Sequence, residues 1–181
     1  NIFWLSAETG IRKFNKKTGI SNTYRLPAPA FSDISREITH NLIGDRFGYL
    51  WMGSTEHGVY RLNLQTEKWD NYHINTPDAS SSKNLATTQL MEDEDGKIWI
   101  CGEGLAFFDP HTQNFTYHKM GVAGAEVIQG KIRALIKDRN GIYWLGTERG
   151  IAKYDPKLHS FITVKPNYPY TLLSANTIVE D

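Results

Sequence analysis

An all-β fold follows from three features of the 181-residue sequence. A tryptophan motif recurs along it, an Asp-x-x-Gly turn precedes that motif, and no stretch of ten residues or more combines helical periodicity with caps. Trp4, Trp51, Trp99 and Trp144 are separated by 47, 48 and 45 residues. Their surroundings repeat as Ile2-Phe3-Trp4-Leu5, Tyr49-Leu50-Trp51-Met52, Lys97-Ile98-Trp99-Ile100 and Ile142-Tyr143-Trp144-Leu145.

Each element of the unit has its own signal. Asp45 to Gly48, Asp93 to Gly96 and Asp138 to Gly141 suit a type I turn whose glycine takes a positive φ. That turn joins an inner strand to the Trp strand. The Trp strand carries large apolar groups on both faces, as Leu50 and Met52 oppose Trp51, so it is read as covered on both sides. A glycine with an aliphatic neighbour follows at Gly10-Ile11, Gly58-Val59, Gly104-Leu105 and Gly150-Ile151, and opens a third strand. That strand ends at Phe14-Asn15, Leu62-Asn63, Phe108-Asp109 and Tyr154-Asp155. An outer strand is expected around Trp69, Phe115 and Phe161, after turns that Pro110 and Pro156 open in two units. Glu126 to Lys137, the nearest approach to a helix, reads as loop plus strand.

Four short antiparallel strands per unit of about 45 residues predict β-propeller blades. Blades stack face to face, which explains the aromatic residues; tight turns explain the glycines. The expected units are 1–30, 31–77, 78–122 and 123–169, with a further blade starting at 170–181. The first unit lacks an inner strand. Two alignments of the last segment are available. Asn167, Pro169, Ser174 and Asn176 match Asn75, Pro77, Ser82 and Asn84, which sets Asp181 opposite Gln89. Alternatively Asp181 is itself a turn aspartate. The proline and asparagine anchors favour the first. About four blades then belong to a larger, seven-bladed ring.

Composition bounds the function. Twenty Lys and Arg balance twenty Asp and Glu, which argues against nucleic-acid binding and against docking on anionic lipid. Apolar runs reach four residues, too short for a membrane span. The single cysteine, Cys101, excludes a disulfide framework and a Cys-rich zinc site, and reads as a small core residue. There is no Gly-x-Ser-x-Gly, His-Glu-x-x-His or phosphate-loop motif. The acidic run Glu92-Asp93-Glu94-Asp95-Gly96 lacks the glycine spacing of an EF-hand loop and reads as a turn.

The pattern Asp-x-x-Gly-x-(Ile/Leu)-Trp-(Ile/Met/Leu)-Gly-Thr, then Gly-(Ile/Val)-x-(Lys/Arg)-(Tyr/Phe)-(Asp/Asn), resembles the two-component regulator propeller repeat. Residues 139–155 resemble it most closely. Cys101-Gly102-Glu103 and Ser6-Ala7 depart from its Gly-Thr. The resemblance implies a periplasmic sensor region of the hybrid two-component histidine kinases of Bacteroidetes. Such a region precedes a β-sandwich, a membrane helix and a histidine kinase, often with a response regulator. It implies an oligosaccharide ligand, no cofactor, no metal and no catalysis in this segment. The implied partners are the remaining blades and downstream domains of the same protein, with homodimerisation. The membrane is reached only through that parent protein.

In a propeller, the loop between second and third strands shares one face with the approach to the inner strand. Five residues before each turn aspartate stand His40, Thr88 and Arg133, polar positions in otherwise apolar strands; Asn176 is an approximate fourth. The loops add His57, Glu103 and Glu148-Arg149. The expected ligand residues are therefore His40, His57, Glu103, Arg133, Arg149 and Asn176, because planar hydrogen-bonding groups suit a sugar. The four repeated tryptophans and Trp69 are read as structural, and Tyr72-His73 lies beyond that outer strand. Two other readings compete. One is a propeller lyase or hydrolase with converging histidines beside a carboxylate; the other is a protein-interaction platform with an exposed apolar face.

Overall fold

The computed structural model describes residues 1–7, 9–27, 38–54, 57–74, 86–118, 131–148, 150–155, 160–164 and 174–181, with backbone alone for Ile38, Thr39, His40, His118, Ser160 and Thr163. Among these residues there are fifteen strands and no helix. The first sheet has three strands, β1 (Ile2–Ala7), β2 (Gly10–Asn15) and β3 (Ser21–Arg25). The second has four, β4 (Ile38–Gly44), β5 (Tyr49–Ser54), β6 (Val59–Asn63) and β7 (Trp69–Tyr72). The third is β8 (Gln89–Glu92), β9 (Ile98–Cys101), β10 (Leu105–Asp109) and β11 (Asn114–His118). The fourth is β12 (Ile132–Lys137), β13 (Tyr143–Thr147), β14 (Gly150–Asp155) and β15 (Ser160–Val164). Every pairing is antiparallel between sequence neighbours, and each sheet is a propeller blade.

The core lies between blades. Blade one meets blade two through Ile11, Leu26, Leu50, Met52, Tyr60 and Leu62. Blades two and three close over Trp51, Ile98, Ile100, Ala106 and Phe108. Blades three and four close over Trp99, Leu105, Leu135, Tyr143 and Leu145, with Cys101 buried among them, its thiol pushed up by desolvation. Trp51 is 0% exposed and Trp99 2%. Fully burying each such aliphatic or aromatic side chain contributes about 1.5–3 kcal/mol. Residues on both faces of β5 and β9 take part, as expected of a Trp strand sandwiched between neighbours.

The Asp-x-x-Gly turns form as expected. Gly48, Gly96 and Gly141 have φ near +80° (+84°, +79° and +83°). The aspartate does more than turn the chain. Asp45 Oδ1 accepts the Phe47 and Tyr49 N–H groups at 2.9 Å, while Oδ2 accepts the Trp51 indole N–H at 2.7 Å. Asp93 does the same for Asp95, Lys97 and Trp99, and Asp138 for Asn140, Ile142 and Trp144. One carboxylate thus fixes a turn and locks the repeated tryptophan six residues on. The acidic run 92–96 is spent on this turn and on ion pairs to the blades either side.

Those ion pairs repeat. The residue after each turn aspartate reaches the end of the next inner strand. Arg46 Nε lies 2.6 Å from Glu92, and Glu94 lies 2.6 Å from Lys137 Nζ with the charges exchanged. Arg139 then meets Glu180 with its backbone N–H at 3.2 Å and donates through Nη2 to the Asp181 carbonyl at 2.6 Å.

This last contact corrects the alignment of the final segment. Arg46 also donates to the Asp93 carbonyl, so Glu180 and Asp181 occupy the places of Glu92 and Asp93. The backbone agrees. Thr87 N donates to the Ser54 carbonyl (3.0 Å), Ile132 N to Gly102 (2.7 Å) and Ala175 N to Thr147 (2.9 Å). Asp181 is therefore in the turn-aspartate position, not opposite Gln89. The Asn167 and Pro169 anchors lie outside the described residues, and Asn176 aligns with Thr88 and Arg133, not with Asn84. The strand and turn positions do not vary, and they carry the register.

Candidate functional site

The three backbone bonds just described tie the end of each second strand to the approach to the next inner strand. They place those two segments on one face of the blades. Two of the inner strands are irregular where they enter the sheet. The β4–β5 register shifts between Ile38 and Leu42, and the β12–β13 register shifts between Ile132 and Ala134. His40 and Arg133 stand in these irregularities. Thr88 sits immediately before β8, and the corrected alignment makes Asn176 the equivalent residue ahead of Asp181. A break of this kind unpairs the residue and re-aims its side chain. A polar residue is tolerated there because it is not committed to the apolar interface.

The candidates differ in what they touch. Arg133 is exposed and its Nη2 donates to Glu148 Oε1 at 2.6 Å. Glu148 Oε2 also accepts the Lys131 N–H at 3.2 Å. The Lys131 amide and the Arg133 guanidinium hold the Glu148 carboxyl below the usual carboxylate range. Thr88 Oγ1 is turned toward the Cys101 and Ile132 carbonyls, stitching blade three to blade four. Asn176 is exposed and its Oδ1 accepts the Ser174 hydroxyl at 3.2 Å. His57 is half-buried in the β5–β6 loop. Its N–H donates to Ser54 Oγ at 3.0 Å and its carbonyl accepts from Asn71 Nδ2. Glu103 is exposed at the tip of the β9–β10 loop. Arg149 lies outside the described residues, as does the His40 side chain.

Among the described candidates, direct contact joins Arg133 to Glu148, and the backbone bonds place Thr88 and Asn176 at positions equivalent to Arg133. Glu148 is the more informative member of the Glu148-Arg149 dipeptide. Its signal was an acidic residue at the β13–β14 loop, opposite an arginine on the adjoining inner strand. Among the described residues, no group of three His, Cys, Asp or Glu side chains is placed to hold a metal ion. No helix among them is long and apolar enough to cross a membrane.

Comparison with known proteins adds a family likeness. Residues 126–149, which span the inner strand, the turn and the Trp strand of blade four, match the two component regulator propeller family. That stretch is similar to one two-component regulator propeller repeat. Solved structures share the fold around this repeat. The extracellular domain of BT3049, assigned to the hybrid two-component systems of B. thetaiotaomicron, is 24% identical with a TM-score of 0.63. The alignment covers 88% of this chain and 21% of that one. The corresponding domain of BT4673 from the same organism is 18% identical, with a TM-score of 0.65 and coverage of 90% and 20%. PorZ, a surface component of the type-IX secretion system of Porphyromonas gingivalis, is 17% identical, with a TM-score of 0.67 and coverage of 99% and 28%. At these identities the likeness shows the fold. The chain spans 20% to 28% of the length of these structures. No curated protein matches the chain significantly.

Proposed function

We propose that the chain is a sensing segment of an extracytoplasmic propeller in a hybrid two-component system, that its ligand is an oligosaccharide, and that the segment is not catalytic. The observation that carries this reading is the set of equivalent positions five residues before each turn aspartate, where the chain enters the inner-strand side of each blade. They hold His40, Thr88, Arg133 and Asn176, with the Arg133–Glu148 pair beside them. Architecture explains why a residue repeats; it does not explain four different polar residues at one repeated position. Variation there suits recognition, in which each blade supplies a different hydrogen-bonding group. Arg133, Glu148 and Asn176 offer the planar donors and acceptors that sugar hydroxyls need. The two-component regulator propeller repeat and the likeness to extracellular domains of hybrid systems support the sensory role and a place outside the cytoplasm. Signalling then passes to domains beyond this segment, and the membrane is reached through them.

Thermal melting of the intact protein against a broad oligosaccharide panel tests the reading. One glycan class should raise the melting temperature, and Arg133→Ala with Glu148→Gln should remove the shift. No shift at high concentration across the panel would contradict direct sugar sensing.

A further inference from the structure

A second site emerges from the way the blades handle a buried cation. Arg61, on β6, is almost enclosed, its side chain 9% exposed. Its guanidinium lies 4.3 Å from the ring centre of Tyr49, 5.1 Å from Tyr72, and 5.4 Å from both Trp51 and Phe108. Nε and Nη2 donate to Asp70 Oδ2 at 3.0 and 2.7 Å, and Nη1 to Gln113 Oε1 at 3.3 Å. The interface between blades two and three is therefore built around an arginine in an aromatic cage. Blade one follows the same plan, with Lys13 Nζ 5.3 Å from the Trp4 ring.

Blade three breaks the plan. The position two residues before the Asn or Asp at the strand end is Lys13, Arg61 and Lys153 in the other blades; here it is Phe107. The carboxylate partner is particular to blade two, since Lys13 pairs with Asn22 and Lys153 with Ile162. Arg61 pairs across the strands with Asp70, whereas Phe107 pairs with Thr116. Phe107 packs edge-on against Trp99, with ring centres 4.4 Å apart. Beside it a cleft of about 350 Å³ opens between blades three and four, walled by Trp99, Phe107, Tyr143 and Tyr154. That volume lies within the range of small-ligand sites. Trp99 and Tyr143 stack at 4.0 Å to form its back.

The mouth is charged to match. Asp93, Glu94, Asp95 and Asp109 line it against Lys97 and Lys137, an excess of carboxylate. A cation already attends the wall. Lys137 Nζ lies 5.3 Å from the Tyr143 ring while bridging to Glu94. Burial and then the carboxylates of Asp93, Glu94 and Asp95 push the Tyr143 phenol up, the sign of a negative field at this point. Phe107, the partly exposed ring of the wall, and the negative potential together attract a cation, with guanidinium favoured for its ability to stack.

We propose that the cleft between blades three and four binds a guanidinium group from an exogenous ligand, beside the Phe107 ring that takes the position Arg61 holds one blade earlier. The site stands apart from the inner-strand face and does not depend on its role. Without a carboxylate in the Asp70 position, affinity is on the order of millimolar.

The test is ¹⁹F NMR of the full chain labelled with 5-fluorotryptophan, with signals assigned by the loss of one resonance in each Trp→Phe variant. N-acetylarginine amide should move the Trp99 signal saturably and leave the Trp51 signal in place. The neutral isostere N-acetylcitrulline amide should move neither. Phe107→Arg with Thr116→Asp copies the second interface into the third; it should abolish the Trp99 response and raise the melting temperature. If that variant does not fold, Glu94→Gln with Asp95→Asn should weaken the response several-fold. A Trp99 signal that stays still overturns the proposal. So does an equal response to citrulline, an equal shift at Trp51, a full response in the Phe107→Arg/Thr116→Asp variant, or an unchanged response in the Glu94→Gln/Asp95→Asn variant.

Discussion

Replacing Asp45 by alanine removes the carboxylate that holds both the first hairpin turn and the indole of Trp51. Its Oδ2 accepts the Trp51 N–H at 2.7 Å, and Trp51 is 0% exposed, so water cannot take over the bond. A hydrogen bond to a charged acceptor contributes about 1.5–3 kcal/mol, and a buried donor left unpaired costs about 1–3 kcal/mol. The Phe47 and Tyr49 amides lie in an accessible turn and can rehydrate, so they add little. Asp45→Ala should therefore destabilise by about 3 kcal/mol. Asp45→Asn should recover little of this, because one of its two faces becomes an N–H₂ group pointed at a donor. Urea unfolding followed by fluorescence and circular dichroism measures the loss. A double-mutant cycle with Trp51→Phe isolates the bond itself. Asp138→Ala is the internal control: Trp144 is only half-buried, so its loss should be smaller. An Asp45→Ala protein within about 0.5 kcal/mol of the parent would refute the reasoning, since that is the range of an uninvolved surface change.

Three further outcomes follow. Gly19 has φ +70° with open space around it, so Gly19→Ala should cost only the backbone strain, about 1 kcal/mol. Gly58→Ala should cost more, because its Cβ would lie 2.2 Å from the Tyr72 carbonyl as well as at φ +78°. Equilibrium unfolding of the two side by side checks the order. Glu94→Lys should lower the melting temperature at low salt, and adding Lys137→Glu should restore it by matching the Arg46–Glu92 polarity of the preceding pair. Equal melting of single and double variants would contradict that. The Trp144 indole holds the Asp138 carboxyl below its ordinary value of 3.8. A lowered folded value stabilises the protein above the unfolded one and is lost as pH falls through the folded one. Denaturation midpoints should therefore drop below pH 3.8, and Asp138→Asn should flatten that fall.

The blades were legible because their signals are local and repeated. Trp strands with apolar residues on both faces, and Asp-x-x-Gly turns ahead of them, leave little freedom of interpretation. The Asp–Trp bond was within reach as well, since the spacing of six recurs at 45 and 51, 93 and 99, and 138 and 144. Reading the aspartate as a turn residue and the tryptophan as core kept the two apart. Arg61 is a different case. A basic residue inside Val59-Tyr60-Arg61-Leu62 looks like an outward position, and only the packing of blade three against blade two shows that aromatic rings enclose it. The final segment is ambiguous in sequence because Asn167, Pro169, Ser174 and Asn176 repeat the spacing of Asn75, Pro77, Ser82 and Asn84. Linker length is free to vary between blades; the salt bridge at Glu180 and the backbone bond at Ala175 are not. Of the candidate face, the position five residues before the turn aspartate could be counted from sequence. Its pairing with Glu148 depends on how the β13–β14 loop folds back on β12.

The most direct test of the central claim locates the ligand. Hydrogen exchange of the intact protein, with and without whichever glycan raises its melting temperature, reads protection along the chain. The inner-strand face predicts protection in 38–44, 86–89, 102–104, 131–134, 147–150 and 174–177, with the outer strands β7, β11 and β15 unchanged. Protection confined to the outer strands, or none in these segments despite saturation, would contradict it.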